Sequence, residues 1–168
     1  MRCKLNLVES TSPKTVRVPH QARWISYRED RSCDAKRTFI FTDGSSNGGY
    51  AAVIVRNGKD LVKSRGWETP TSTKNVGPEL NGMLLGLRQA TEGESITMVS
   101  DYLGVAAWMT ENWKIKDPEV RDKIREAKEI VARLNLDLDF IHHGGHQKDT
   151  SAFTQFNNLA DKLAGVLK

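Results

Sequence analysis

Between Thr38 and Trp67 three extended stretches follow one another with almost no chain between them, and this run limits the possible folds more than any other feature. In Thr38–Asp43, period-two spacing puts Phe39, Phe41 and Asp43 on one side of a strand. Gly44–Gly49 is a turn rich in glycine and serine, and Tyr50–Arg56 reads as a second strand. Asn57-Gly58 is a tight hairpin signal ahead of a third strand, Asp60–Trp67. Three successive antiparallel strands are the expected result.

The rest of the chain changes period. Leu80, Met83, Leu84, Leu87 and Ala90 recur at helical spacing and predict a helix over Pro78–Ala90. Gly82 and Gly86 weaken that helix slightly but permit it to approach the sheet closely. Ser95–Ser100 reads as a fourth strand ending at Asp101, and a short helix follows with Val105, Trp108 and Met109 on one face. Asp117-Pro118-Glu119 is a strong helix start: an Asp cap, a Pro in the first turn and an acid near the positive end. Val120, Ile124, Ala127, Val131 and Leu134 form the stripe behind it. Leu136–Ile141 alternates as a fifth strand, and Ser151–Leu167 reads as a last helix buried through Phe153, Phe156, Ala160, Leu163 and Leu167. The order is β-β-β-α-β-α-α-β-α, which implies an α/β fold: a five-stranded mixed sheet, its first three strands antiparallel, flanked by helices.

Composition adds exclusions. At 168 residues with 38% hydrophobic and 27% charged side chains, the chain suits one well-buried domain and is too apolar for full disorder. No window approaches 18 consecutive apolar residues, so no membrane span is expected, and the N-terminus lacks a signal-peptide core, which points to a cytoplasmic product. Cys3 and Cys33 form no metal-ligand pair, which argues against a zinc site or a disulfide framework. Residues 1–38 carry nine basic and four acidic side chains, whereas 39–168 carry sixteen and seventeen. The expected organisation is therefore a basic N-terminal arm, 1–38, attached to a domain spanning 39–168. Within the arm, Trp24 and Tyr27 are interleaved with Arg23 and Arg28. They would either dock the arm on its own domain or stack on nucleic-acid bases as an auxiliary binding patch.

Four acids sit at informative places. Asp43 is late in the first strand, Glu79 opens the first helix, Asp101 follows the fourth strand and Asp161 lies in the last helix. Ligand sites in mixed α/β sheets gather outside the carboxyl ends of strands, where Asp43 and Asp101 fall. Acids converging there would repel unless cations offset their charge, and carboxylate oxygen suits Mg²⁺ or Mn²⁺. A basic surface around such a pocket suits a polyanion brought to bound divalent ions. In His142-His143-Gly144-Gly145-His146, a histidine in a glycine-rich loop could shuttle protons beside such a site or simply cap the loop. Asn157 and Asp161, four residues apart, share a helix face.

Taken together, Thr42-Asp43-Gly44-Ser45, Glu79-Leu80 at a helix start, Ser100-Asp101 after a strand, the His-Gly-Gly-His loop and Asn157-Asn158-Leu159-Ala160-Asp161-Lys162-Leu163-Ala164 resemble the ribonuclease HI family from about Phe39 onward. The resemblance implies an RNase H-like fold and an endoribonuclease that hydrolyses the RNA strand of RNA–DNA hybrids, leaving 5′-phosphate and 3′-hydroxyl ends. It matches Asp43, Glu79, Asp101 and Asp161 to the carboxylates that hold two Mg²⁺ ions, with Mn²⁺ a substitute. It also matches His143 to a loop histidine assisting proton transfer or product release, and His146 to a structural one. Nucleic-acid contacts are implied at Gly44, Ser45, Asn47, Asn75 and Asn157. The implied partner is the hybrid itself, with no membrane and no stable protein partner, so that the chain acts as a monomer. Two departures stand out: the turn after Asp43 is short, and Tyr102-Leu103 replaces the Ser-Gln that often follows the strand-end acid, removing one hybrid-contacting amide. Other reactions occur on the same fold, so a DNA-specific nuclease and an inactive hybrid-binding module stand as alternatives.

Overall fold

A computed structural model describes residues 14–17, 24–28, 37–58, 60–110, 114–142 and 152–166, with side chains from residue 37 onward except those of 152 and 153. The elements in chain order are β1 (Lys14–Arg17), β2 (Trp24–Arg28), β3 (Thr38–Gly44), β4 (Gly49–Arg56), β5 (Asp60–Trp67), α1 (Val76–Leu87), β6 (Ser95–Ser100), α2 (Leu103–Thr110), α3 (Pro118–Leu134), β7 (Asp137–His142) and α4 (Ala152–Ala164). The expected five-stranded mixed sheet is present as β7-β6-β3-β4-β5, with β3, β4 and β5 antiparallel and β6 and β7 running parallel to β3. The arm contributes two further strands to the same sheet. β2 pairs parallel with β7, in register Ile25↔Leu138 through Arg28↔Ile141, and β1 pairs antiparallel with β2.

Alternation along the strands divides the interior in two. On one face Ile40, Ala52, Ile54, Ile96, Met98, Leu138 and Phe140 pack against Leu80, Met83, Leu84 and Leu87 of α1 and against Ile124 and Val131 of α3. On the other, Phe39, Phe41, Val53, Val55, Val99 and Ile141 are covered by Ala160, Phe156, Leu159 and Leu163 of α4. The Phe41 and Phe156 rings meet at 5.3 Å between centroids. Burying side chains of this size stabilises by about 1.5–3 kcal/mol each.

Local chemistry sets the helix ends. The Asp117 carboxylate accepts from the Glu119 and Val120 amides at 2.8 and 3.3 Å, which caps α3 as its Asp-Pro start predicts, and Asn135 closes it in the left-handed conformation. α1 begins two residues before the predicted start and stops at Leu87. The Gln89 and Ala90 amides turn to the Gly86 and Leu87 carbonyls, a tightened three-residue spacing that ends the helix early. Gly82 and Gly86 of α1 face the sheet. A Cβ on Gly82 would stand 2.9 Å from the Asp43 carbonyl oxygen, and one on Gly86 would stand 2.7 Å from Cγ2 of Ile40. The small residues therefore set the distance between α1 and β3.

Candidate metal and nucleic-acid site

The parallel strands β3 and β6 end at the same sheet edge, and this brings Asp43 beside Asp101. Glu79 enters from the first turn of α1, directly above the end of β3. Gly44 is what permits that approach, because a Cβ there would run into the Glu79 backbone nitrogen and the Pro78 carbonyl group. Carboxylate oxygens of Asp43, Glu79 and Asp101 all lie within 4.8 Å of one another. Asp161, on the exposed side of α4, stands outside that trio but near enough to push the Asp43 carboxyl upward. Three of the four acids named from the sequence thus meet at one place, with Asp161 near enough to act on Asp43.

The electrostatics are those of a site built for cations. Asp43 and Glu79 are 6% and 5% exposed, and their carboxyl groups lie close enough to act on each other's protonation. Burial, followed by the hydrogen bond to Asp161 and the charge of Asp101, pushes the Asp43 carboxyl up to about 8. Glu79 is pushed up to about 10 by burial and then by the charges of Asp43 and Asp101, with only a backbone hydrogen bond from Gly44 opposing. Glu79 Oε2 is buried and has no hydrogen-bond partner, the one such side-chain atom among the described residues. A buried orphan oxygen beside two other acids costs about 1–3 kcal/mol or more unless a donor or a cation satisfies it. An all-oxygen donor set with surplus negative charge and one unused ligand atom fits Mg²⁺ or Mn²⁺ and does not suit a soft metal.

The other expected site residues are distributed as follows. Gly44 and Ser45 open the β3–β4 turn, where Ser45 exchanges backbone hydrogen bonds with Gly48 and Gly49. The Asn47 side chain closes that turn, accepting from the Gly49 amide at 2.8 Å, while its carbonyl accepts from the Trp67 indole at 2.9 Å. Asn75 is exposed at the start of α1, and its side chain makes no capping bond. Asn157 is buried on α4, one turn before Asp161. Trp24, Tyr27 and Arg28 lie on β2 next to β7, but their side chains, together with Arg23, His143 and His146, are outside the described residues.

Two neighbours of the site carry no sequence motif. His142 ends β7, and its Nε2 lies 3.0 Å from the Asp101 carbonyl oxygen, to which it donates. Tyr102 stands beside Glu79, close enough for the carboxylate charge to act on the phenol. An aromatic placed directly after a strand-end acid is the only signal that could have found it.

The RNase H family model matches residues 35–166. The Ribonuclease H of Caldicellulosiruptor saccharolyticus is 27% identical over 145 residues, covering 77% of this chain and 94% of its own. That of Pseudomonas savastanoi pv. phaseolicola is 28% identical, covering 76% and 95%. Among solved structures, LC11-RNase H1 in complex with RNA/DNA hybrid superposes with a TM-score of 0.61 at 20% identity, over 76% of this chain and 93% of that one.

Proposed function

The chain belongs to the RNase H family, and from that premise we propose that it hydrolyses the RNA strand of RNA–DNA hybrids, using two divalent ions held by Asp43, Glu79, Asp101 and Asp161. The observation that carries this reading is the carboxylate trio of buried Asp43 and Glu79 with partly buried Asp101, and its unpartnered Glu79 oxygen. Asp43 would help to hold both ions, since Glu79 and Asp101 lie beside it and Asp161 is near enough to act on its carboxyl. Glu79 and Asp101 complete one position, and Asp161 helps to hold the second. Mg²⁺ is the proposed ion, with Mn²⁺ able to replace it; bound there, a pair supplies positive charge to the attacking and leaving oxygens of an in-line displacement.

The chain's own groups do the remaining work. The first turn of α1, where the Glu79 amide donates to the Asn75 carbonyl and Gly44 allows close approach, sets the place of Glu79. His143, the residue that follows β7 in the sequence, handles a proton or assists product departure. Gly44, Ser45, Asn47, Asn75 and Asn157 are the residues proposed to contact the hybrid, whose shallow groove displays the 2′-hydroxyls that distinguish RNA from DNA. The products are 5′-phosphate and 3′-hydroxyl ends. LC11-RNase H1, the similar structure, was solved in complex with RNA/DNA hybrid, which supports the same substrate class here.

The test is cleavage of end-labelled matched hybrid, duplex DNA, duplex RNA and a DNA–RNA–DNA chimera in Mg²⁺. The proposal expects cuts in the RNA strand of the hybrid and chimera alone. Preference for duplex DNA would favour a DNA nuclease, and hybrid binding without cleavage in either Mg²⁺ or Mn²⁺ would favour a binding module.

A further inference from the structure

Next to the carboxylates, one aromatic side chain is held firmly on one side and left unused on the other. Tyr102 follows Asp101 at the turn from β6 into α2, and its amide donates to Ser100 Oγ at 3.0 Å. Its ring packs against Trp108 with centroids 6.1 Å apart, and it lies over Gly104, where a Cβ would come within 2.7 Å of the ring. Glycine at 104 and tryptophan at 108 therefore make a seat for the phenol. The side chain is only half-buried, and its hydroxyl has no hydrogen-bond partner among the described residues. A tyrosine fixed this well ordinarily finds a partner for its O–H. The next residue, Leu103, is 46% exposed, one of four exposed large hydrophobic side chains among those described. An apolar side chain and a phenol in sequence, beside the acids, form a shelf with a single polar group.

We infer that Tyr102 and Leu103 are a specificity contact for the RNA strand, with Leu103 packing on the sugar edge of the shallow groove and the Tyr102 hydroxyl hydrogen-bonding one ribose 2′-hydroxyl near the scissile phosphate. The inference rests on the hybrid-hydrolase reading and extends it to a side chain that no shared motif covers. A phenol can donate to or accept from a 2′-hydroxyl, and a C–H at that position offers it neither. The shallow groove of an A-like helix presents its sugars to a flat protein surface, and a leucine beside a tyrosine supplies one.

Tyr102→Phe removes the hydroxyl and keeps the ring in its seat. The full chain and this variant are compared on hybrids in which one ribose at a time, across the cut, is replaced by 2′-deoxyribose. Cleavage in Mg²⁺ gives kcat/KM, and fluorescence anisotropy without divalent ions gives affinity. For the unaltered chain, one position should stand out, its 2′-deoxy substitution costing about fivefold, the size of one hydrogen bond. Tyr102→Phe should lose about the same factor on the all-ribose hybrid and show no further loss at that position. Leu103→Asp should weaken binding to every hybrid without altering the positional profile. The inference is overturned if Tyr102→Phe keeps the complete positional profile, or if its loss is equal at all positions. If the unaltered chain cleaves no hybrid, the hydrolase reading fails by itself. The anisotropy profile then decides the contact alone: a discriminated position abolished in Tyr102→Phe supports it, and identical profiles sink it.

Discussion

At the residue scale the site is a balance between burial and charge. Both Asp43 and Glu79 are pushed upward, so the folded, metal-free chain holds protons that the unfolded chain, with ordinary carboxyl groups, would release. Stability associated with these groups is therefore fully present below about pH 4 and drains away as pH rises through about 8. In chelator, the melting temperature should fall between pH 5 and pH 8, and Mg²⁺ should raise it more at pH 8 than at pH 5. Asp43→Asn removes one charge from the cluster and should raise the metal-free melting temperature at pH 8 by about 3–6 °C, the equivalent of ~1.5 kcal/mol in a domain of this size. A decrease in that variant would show that Asp43 is stabilising without metal. His143→Ala should slow cleavage by about 100-fold or less and leave some activity, as expected for auxiliary proton handling, when rates are followed at saturating Mg²⁺. The placement of these four acids was legible because each falls at a place that periodicity defines (a strand end, a helix start, a second strand end, a helix face), and their grouping came from the resemblance to the ribonuclease HI family. Tyr102 and His142 were not, because their roles arise from packing against Glu79 and Asp101, residues distant from them in sequence or bound through backbone.

At the element scale, the helix α1 carries Glu79 and is set against β3 by glycines. Gly82→Ala gains about 1 kcal/mol of helix propensity, yet its methyl group would meet the Asp43 carbonyl at 2.9 Å, a backbone atom that cannot swing aside. The expected net result is a loss of about 1–3 kcal/mol in a denaturant titration, with a fall in cleavage as Glu79 is displaced. Asp117→Ala is a contrast: loss of the α3 cap should cost about 1 kcal/mol and leave kcat nearly unchanged, since α3 brings no acid to the site. The strand and helix order was readable from period two and period 3.6, and the Asp-Pro start of α3 was readable to the residue. The ends of α1 and α4 were not. Ala90 and Leu167 continue the apolar stripes of their helices, but the chain leaves the helical conformation at Leu87 and Ala164, where tight turn bonds replace the ladder.

At the scale of the whole molecule, the arm is an extension of the sheet. β2 runs parallel to β7, so it ends at the same edge as Asp43 and Asp101. The partner of the arm's strands was not legible in the sequence, because pairing of Ser26 with Asp139 joins residues more than a hundred apart and leaves no local trace. Deleting residues 1–36 removes eight basic and four acidic side chains and bares the edge of β7. Hybrid affinity should drop by about tenfold at low salt and approach that of the full chain as salt rises, because the lost contacts are with phosphates. An equal affinity across the salt series would show that the arm serves the sheet alone. No helix among the described residues is long and apolar enough to cross a membrane. The central claim, that the acids around Asp43 form the divalent-ion site at which RNA in a hybrid is cut, is tested most directly by titrating Mg²⁺ into a hybrid-cleavage assay with the unaltered chain and with Asp43→Asn. The account predicts no cleavage without Mg²⁺, saturating cleavage of the RNA strand by the unaltered chain, and a loss of at least about a thousandfold in the variant at every Mg²⁺ concentration. Near-normal cleavage by Asp43→Asn would contradict it.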